Sequence, residues 1–137
     1  MTAQEYFNQA YRLDQRINSK IEQLRTLNEL ALKATATYTG MPHSPNKGSQ
    51  TMANTVDRII DLQDEINRDI DELVDLKRDI RELIALIRKP EYRTLLELRY
   101  LGFRTWDAIA EEMGFEPRTI YRFHSNALRV VERLMRA

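Results

Sequence analysis

The side chains best equipped for chemistry in this sequence are arginines. From residue 117 to the end, Arg118, Arg122, Arg129, Arg133 and Arg136 stand against one acid, Glu132. A guanidinium is permanently charged, and its planar fork of donors fits both phosphate and the O6/N7 edge of guanine. Other chemistries lack their residues. There is no cysteine, hence no disulfide, thiol nucleophile or thiolate metal site, and the two histidines, His43 and His124, lie far apart. No glycine-rich phosphate loop or nucleophile–base pair is present, and Asp/Glu pairs follow helical surface spacing. Neither an enzyme, a metal site nor a cofactor is expected. The net charge of zero hides an asymmetry, because residues 57–79 carry Asp57, Asp61, Asp64, Glu65, Asp69, Asp71, Glu72, Asp75 and Asp79 against Arg58, Arg68, Lys77 and Arg78. A basic end joined to an acidic stem suits a protein that meets a polyanion with one end only.

The arginines sit in a patterned stretch, TWDAIAEEMGFEPRTIYRFHSNAL over 105–128. Thr105 suits an N-cap, Ile109 and Met113 an inner helix face, and Ala110 a close helix crossing. Gly114 comes four residues later, where a turn needs positive φ, with Phe115 plugging the space beneath it. Pro117 is acceptable in the first turn of a second helix whose inner face is Ile120, Phe123, Ala127 and Val131. Ala110, Gly114 and Ile120 are the spacing of a DNA-binding helix-turn-helix, with double-stranded DNA as partner. Its second helix presents Arg118, Thr119, Arg122, Ser125 and Asn126 outward. Such a helix enters the major groove N-terminus first, so Arg118 and Arg122, one turn apart, are the expected base readers. Thr119 and Ser125 suit phosphate or thymine methyl, and Tyr121 the sugar–phosphate wall. Arg104, Thr105 and Arg129 are candidate backbone contacts. Trp106 reads as core, and His124 as a half-exposed helix residue.

These residues need elements to position them, and the periodicity predicts an all-α chain. Residues 3–34 repeat Ala10, Leu13, Ile17, Ile21, Leu24, Leu27, Ala31 and Ala34 in steps of three and four, with Lys20 where a strict seam wants an apolar residue. Gly40, Pro42, Pro45 and Gly48 predict a long loop over 35–54, which includes His43. A second helix is expected from an Asn54 N-cap to Lys89, with Val56, Ile59, Ile66, Ile70, Leu73, Ile80, Ile84 and Ile87 as its stripe, interrupted by Gln63 and Lys77. Ile60, Leu62, Leu76, Leu83 and Leu86 widen that stripe, so the two long helices can pair and still leave surface for another copy, a dimer or higher homo-oligomer. A competing reading closes the whole stripe within one chain. Pro90 marks the boundary between a helical hairpin stalk (1–89) and a three-helix domain (90–137). The latter begins with a helix over 91–101, carrying Tyr92, Leu95, Leu98 and Leu101 on one side and stopping at Gly102. The first ten residues lack a basic segment followed by an apolar run, and no stretch is long and apolar enough for a bilayer. No membrane contact and a cytoplasmic location in a bacterial host are therefore expected.

The stretch PEYRTLLELRYLGFRTWDAIAEEMGFEPRTIYRFHSNAL resembles the helix-turn-helix of sigma-factor region four, as carried by small phage late-gene transcription regulators of the ArpU and RinA type. AYRLDQRINSKIEQL and DLQDEINRDIDELVDLKRDI resemble the same family, so the similarity covers nearly the whole chain. It implies a phage or prophage protein of a Gram-positive host that controls late-gene transcription, with residues 118–126 as its DNA-contacting helix. No promoter-melting region is similar. Two other readings remain open: a DNA-packaging component resembling a small terminase subunit, and an adaptor that binds RNA polymerase without touching DNA.

Overall fold

The computed structural model describes the backbone of residues 1–40 and 45–137, and side-chain packing outside residues 35–49. The chain is all-helical: a long hairpin of two helices, α1 (Ala3–Gly40) and α2 (Pro45–Ala85), precedes a C-terminal group of three. These are α3 (Pro90–Leu96), which runs into a π-helical turn (Glu97–Leu101), α4 (Trp106–Met113) and α5 (Pro117–Arg136). The chain divides into two compact units, Gln15–Asp71 and Met1–Asp14 with Glu72–Ala137.

The loop expected over 35–54 is a correction. Residues 35–40 and 45–54 are helical, while Pro42 and His43 lie outside the described residues. Pro45 occupies the first position of α2, where the missing N–H costs nothing, and Gly48 falls within the first turn. Asn54 is then an ordinary exposed helical residue rather than a cap. Nearby, Thr55 Oγ1 donates to the Thr51 carbonyl at 2.9 Å, spending its hydroxyl inside the helix.

Within Gln15–Asp71 the two long helices are antiparallel, and the seam on α1 runs through Ile17, Leu24, Leu27 and Ala31 as expected, while Ile21, expected with them, is 38% exposed and Lys20 takes that layer. Its polar interruption, Lys20, finds a partner at the same layer of α2, with Nζ 2.7 Å from Asp69 Oδ2 and 3.9 Å from Glu65 Oε2. Only 21% of the Lys20 side chain and 14% of the Asp69 side chain remain exposed. A partly desolvated pair of this kind pins the register of a hairpin whose apolar layers would otherwise slide. On α2 the facing positions are Ile59, Leu62, Ile66 and Asp69, so two of the eight expected stripe residues are displaced. Leu62 and Ile66 are buried, whereas Val56 and Ile70 face outward, 42% and 40% exposed. The shift arises because α2 offers two overlapping 3–4 repeats, and only the one carrying Asp69 answers Lys20.

The other unit begins with a capping box: Thr2 Oγ1 accepts from the Glu5 amide at 3.1 Å, and Glu5 Oε2 accepts from the Thr2 amide at 3.2 Å. Phe7, Ile80, Ile84, Leu95, Leu96, Ile109, Ile120 and Val131 are its largest fully buried side chains. Each contributes roughly 1.5–3 kcal/mol by burial. Phe7 and Ile80 thus belong to the same core as Ile120, and the boundary expected at Pro90 falls inside this unit. The physical reason is area, since α5 with two helices of seven and eight residues leaves one side of its core to be covered by Phe7, Ile80 and Ile84. Pro90 does start α3 as expected, but α2 ends at Ala85 rather than at Lys89, and Arg93 ties α3 to the linker between them, its Nη1 donating to the carbonyls of Ile87 (2.7 Å) and Arg88 (3.0 Å).

The π-helical turn also departs from expectation. Widening the helix there rotates the inner face, so that Leu96 and Tyr100 are buried beside Leu95, while Leu98 and Leu101 are only partly covered. Gly102 ends the element, but not by a left-handed φ. That conformation belongs to Phe103 (φ 54°), and Gly102 is required because a Cβ there would lie 2.9 Å from the Leu98 carbonyl oxygen. The Phe103 ring, edge-on to Tyr11 at 5.6 Å and beneath the Lys77 ammonium at 4.6 Å, offsets the strained backbone.

Candidate nucleic-acid interface

The turn between α4 and α5 forms as its residues dictate. Thr105 Oγ1 accepts from the Ala108 amide at 3.2 Å, capping α4. At the other end Gly114 adopts φ 74°, and the Ala110 carbonyl accepts from the amides of both Gly114 (3.0 Å) and Phe115 (3.1 Å). Pro117 opens α5 without costing a bond. Ile109 and Ala110 on α4 are buried, as are Ile120, Ala127 and Val131 on α5, whereas Met113 and Phe123, also expected on the inner face, are only partly buried and His124 takes a core position beside them. Phe115 does not plug the turn from below. It is 38% exposed and lies edge-on to Phe123 at 5.1 Å, extending an aromatic row through Phe123 to Tyr92.

What faces outward follows from 100° per residue. Arg118, Arg122, Ser125 and Arg129, spaced four, three and four, fall on one narrow stripe and are exposed. Thr119 and Asn126, half-buried, border it on one side, and Tyr121, half exposed, on the other. The stripe continues through the exposed Arg133 and Arg136, which makes five guanidinium groups on one face of α5. From Arg118 to Arg136 this spans about 27 Å at the α-helical rise. Lys89 adds a cation beside α5, its Nζ 4.7 Å from the Tyr92 ring and 5.5 Å from that of Phe123. The acids nearby are Glu116, exposed at the N-cap, and Glu132, whose Oε1 accepts from the Ala3 amide at 3.4 Å.

The two candidates at the start of α4 are differently placed. Arg104 Nη1 lies 2.7 Å from Glu112 Oε2, an exposed pair whose partner spacing of eight residues gave no sequence signal. Its carbonyl accepts from Arg99 Nη1 at 2.8 Å. The Thr105 hydroxyl oxygen already serves the cap, although its proton is free to donate.

Beneath α5 lies a polar core group that sequence reasoning placed wrongly. His124, expected half-exposed, is 8% exposed and shares a 2.7 Å hydrogen bond between its Nε2 and the Tyr100 hydroxyl. Burial, with the Arg99 charge second, lowers the His124 pKa to about 4, and burial pushes Tyr100 up to about 12. Both groups are therefore neutral near pH 7 and form a neutral bond in the core. Trp106 closes the group edge-on to His124 at 4.6 Å and to Tyr121 at 5.5 Å, with the Arg99 guanidinium 4.4 Å over its ring. It is half-buried, and it joins α4, α5 and the π-helical turn. Among the described residues no buried side-chain nitrogen or oxygen lacks a partner.

Fold and site together define an all-helical protein whose last two helices, joined at Gly114, present an arginine stripe to solvent. The chain belongs to the family described as Protein of unknown function (DUF1492), whose model matches residues 48–132, most of α2 and nearly all of the C-terminal helices. No curated protein and no solved structure matches it. No helix among the described residues is long and apolar enough to cross a membrane.

Proposed function

We propose that the protein is a sequence-specific DNA-binding regulator of transcription, with α4 and α5 as its helix-turn-helix and late phage genes as its target class. The observation that carries this reading is the stripe of Arg118, Arg122, Ser125 and Arg129 on a helix that leaves the Gly114 turn N-terminus first. A helix entering the major groove in that direction sets Arg118 and Arg122 against base edges, and Arg129, Arg133 and Arg136 against phosphate as the helix leaves the groove. The neutral Tyr100–His124 bond holds the reading helix to the π-helical turn and the Trp106 contacts hold it to α4, so little ordering is left to be done on binding. Arg104 is released toward phosphate only by giving up Glu112, and contributes less than α5 does.

The test is selection of bound fragments from the source genome by the full chain, followed by footprinting. The reading expects protected sites beside promoters and an affinity that falls steeply with salt. Protection confined to a packaging site would instead favour a terminase-like role. Absence of DNA binding at low salt would favour an adaptor that contacts RNA polymerase.

A further inference from the structure

The part of α2 within Gln15–Asp71 carries two apolar repeats, and the hairpin uses one of them. The other, Val56, Ile60, Gln63, Asn67 and Ile70, steps by four, three, four and three and is exposed throughout. At 100° per residue the five positions fall within an arc of about 80°, as narrow as the seam of a two-stranded coiled coil. No charged residue interrupts the stripe. In heptad terms Ile60 and Asn67 occupy a positions, while Val56, Gln63 and Ile70 occupy d.

We propose that this stripe seats the same stripe of a second copy of the chain, the two α2 helices parallel and in register at Asn67. The chemistry of the stripe selects the occupant. A side-chain amide both donates and accepts, so Asn67 opposite Asn67 satisfies itself, whereas an unrelated apolar helix would leave it desolvated and unpaired. An Asn at one a position, with the β-branched Ile60 at the other, is a device that fixes register and strand number. Charge selects the direction. The e flank is acidic, Asp57, Asp64 and Asp71, and the g flank is Ile59 and Ile66. Parallel helices set e against g, where Ile59 and Ile66 already turn into the hairpin seam, and so keep the two acid rows apart. Antiparallel helices set e against e and bring the two acid rows together. The helices are already formed, so association orders side chains only.

The absence of native cysteine makes the test direct. Full-length protein at tens of micromolar should sediment as two chains, and Asn67→Cys and Gln63→Cys should each form an interchain disulfide on mild oxidation. Ile60→Asp with Ile70→Asp, or Asn67→Lys alone, should sediment as one chain with unchanged far-ultraviolet circular dichroism, since these positions lie outside the intrachain seam. A monomeric parent overturns the proposal. So does a dimer that survives both sets of substitutions, which would place the contact on another face. Crosslinking through Gln63→Cys without Asn67→Cys would mean antiparallel pairing and overturns the register. None of these readouts involves DNA, so the pairing and the DNA-binding function stand or fall separately.

Discussion

Replacing His124 by glutamine tests whether the group beneath α5 is as dry as its geometry implies. The folded-state pKa of about 4 lies below the ordinary value of 6.5, so the unfolded chain binds more protons between these limits. Stability contributed by the neutral imidazole is complete above the unfolded value and is lost as pH falls toward the folded one. At about pH 5 the unfolded histidine is almost fully protonated and the folded one hardly at all, which costs roughly 2 kcal/mol, rising to at most roughly 3 kcal/mol below both values. With 8% of the residue exposed, solvent screening removes little of this. Carboxylates also titrate in acid, so the useful quantity is a difference. Urea unfolding of the parent and of His124→Gln, followed by circular dichroism near pH 8 and near pH 5, isolates the imidazole, because glutamine still accepts from Tyr100 but does not titrate. The parent should lose roughly 2 kcal/mol more than the variant between the two conditions. An equal loss in both would refute a buried neutral His124, and with it the Tyr100–His124 bond as the support of α5.

Arg118→Ala or Arg122→Ala should each cost about 1–3 kcal/mol on a specific duplex and blur preference at one or two base pairs. Arg136→Ala should cost less, leave preference intact and make the salt slope slightly shallower. Titrations on specific and scrambled duplexes at two salt concentrations decide this, and unchanged binding by the first two variants removes α5 as the reader. In the hairpin, Lys20→Met alone should destabilise by about 1–3 kcal/mol, because it leaves the partly buried Asp69 unpaired, Asp69→Leu should cost less because Lys20 keeps Glu65 at 3.9 Å, and the double substitution should recover most or all of the Lys20→Met loss. A denaturation double-mutant cycle with no coupling would show that the 2.7 Å pair does not set the seam. Gly114→Ala should cost about 1–2 kcal/mol, since φ 74° is strained for any side chain but nothing lies within 4 Å of the new Cβ. Gly102→Ala, meeting the Leu98 carbonyl oxygen at 2.9 Å, should cost more, as read by thermal unfolding of both variants.

The elements whose reasons are local were legible in the sequence. Thr105 as cap, Gly114 as left-handed stop, Pro117 as first-turn residue and the buried triplet Ile120, Ala127 and Val131 depend on neighbours within a few residues, and all appear as read. The arginine stripe belongs with them, because helical spacing alone aligns Arg118, Arg122 and Arg129 once α5 is a helix. Where two local readings were equally permitted, the sequence alone did not choose between them. Gly40, Pro45 and Gly48 permit a loop, yet helix covers 45–54 because proline and glycine fall in its first turn. On α2 the overlapping repeats through Ile66 and through Ile70 have similar hydrophobicity, and only Asp69 meeting Lys20 selects the first for the hairpin. Contacts distant along the chain were equally invisible. Arg104 with Glu112, Tyr100 with His124, and Phe7 in one core with Ile120 bring together residues whose spacing follows no helical period. The π-helical turn is of the same kind, for the rotation that buries Leu96 and Tyr100 is imposed by the core around it rather than by any residue within it.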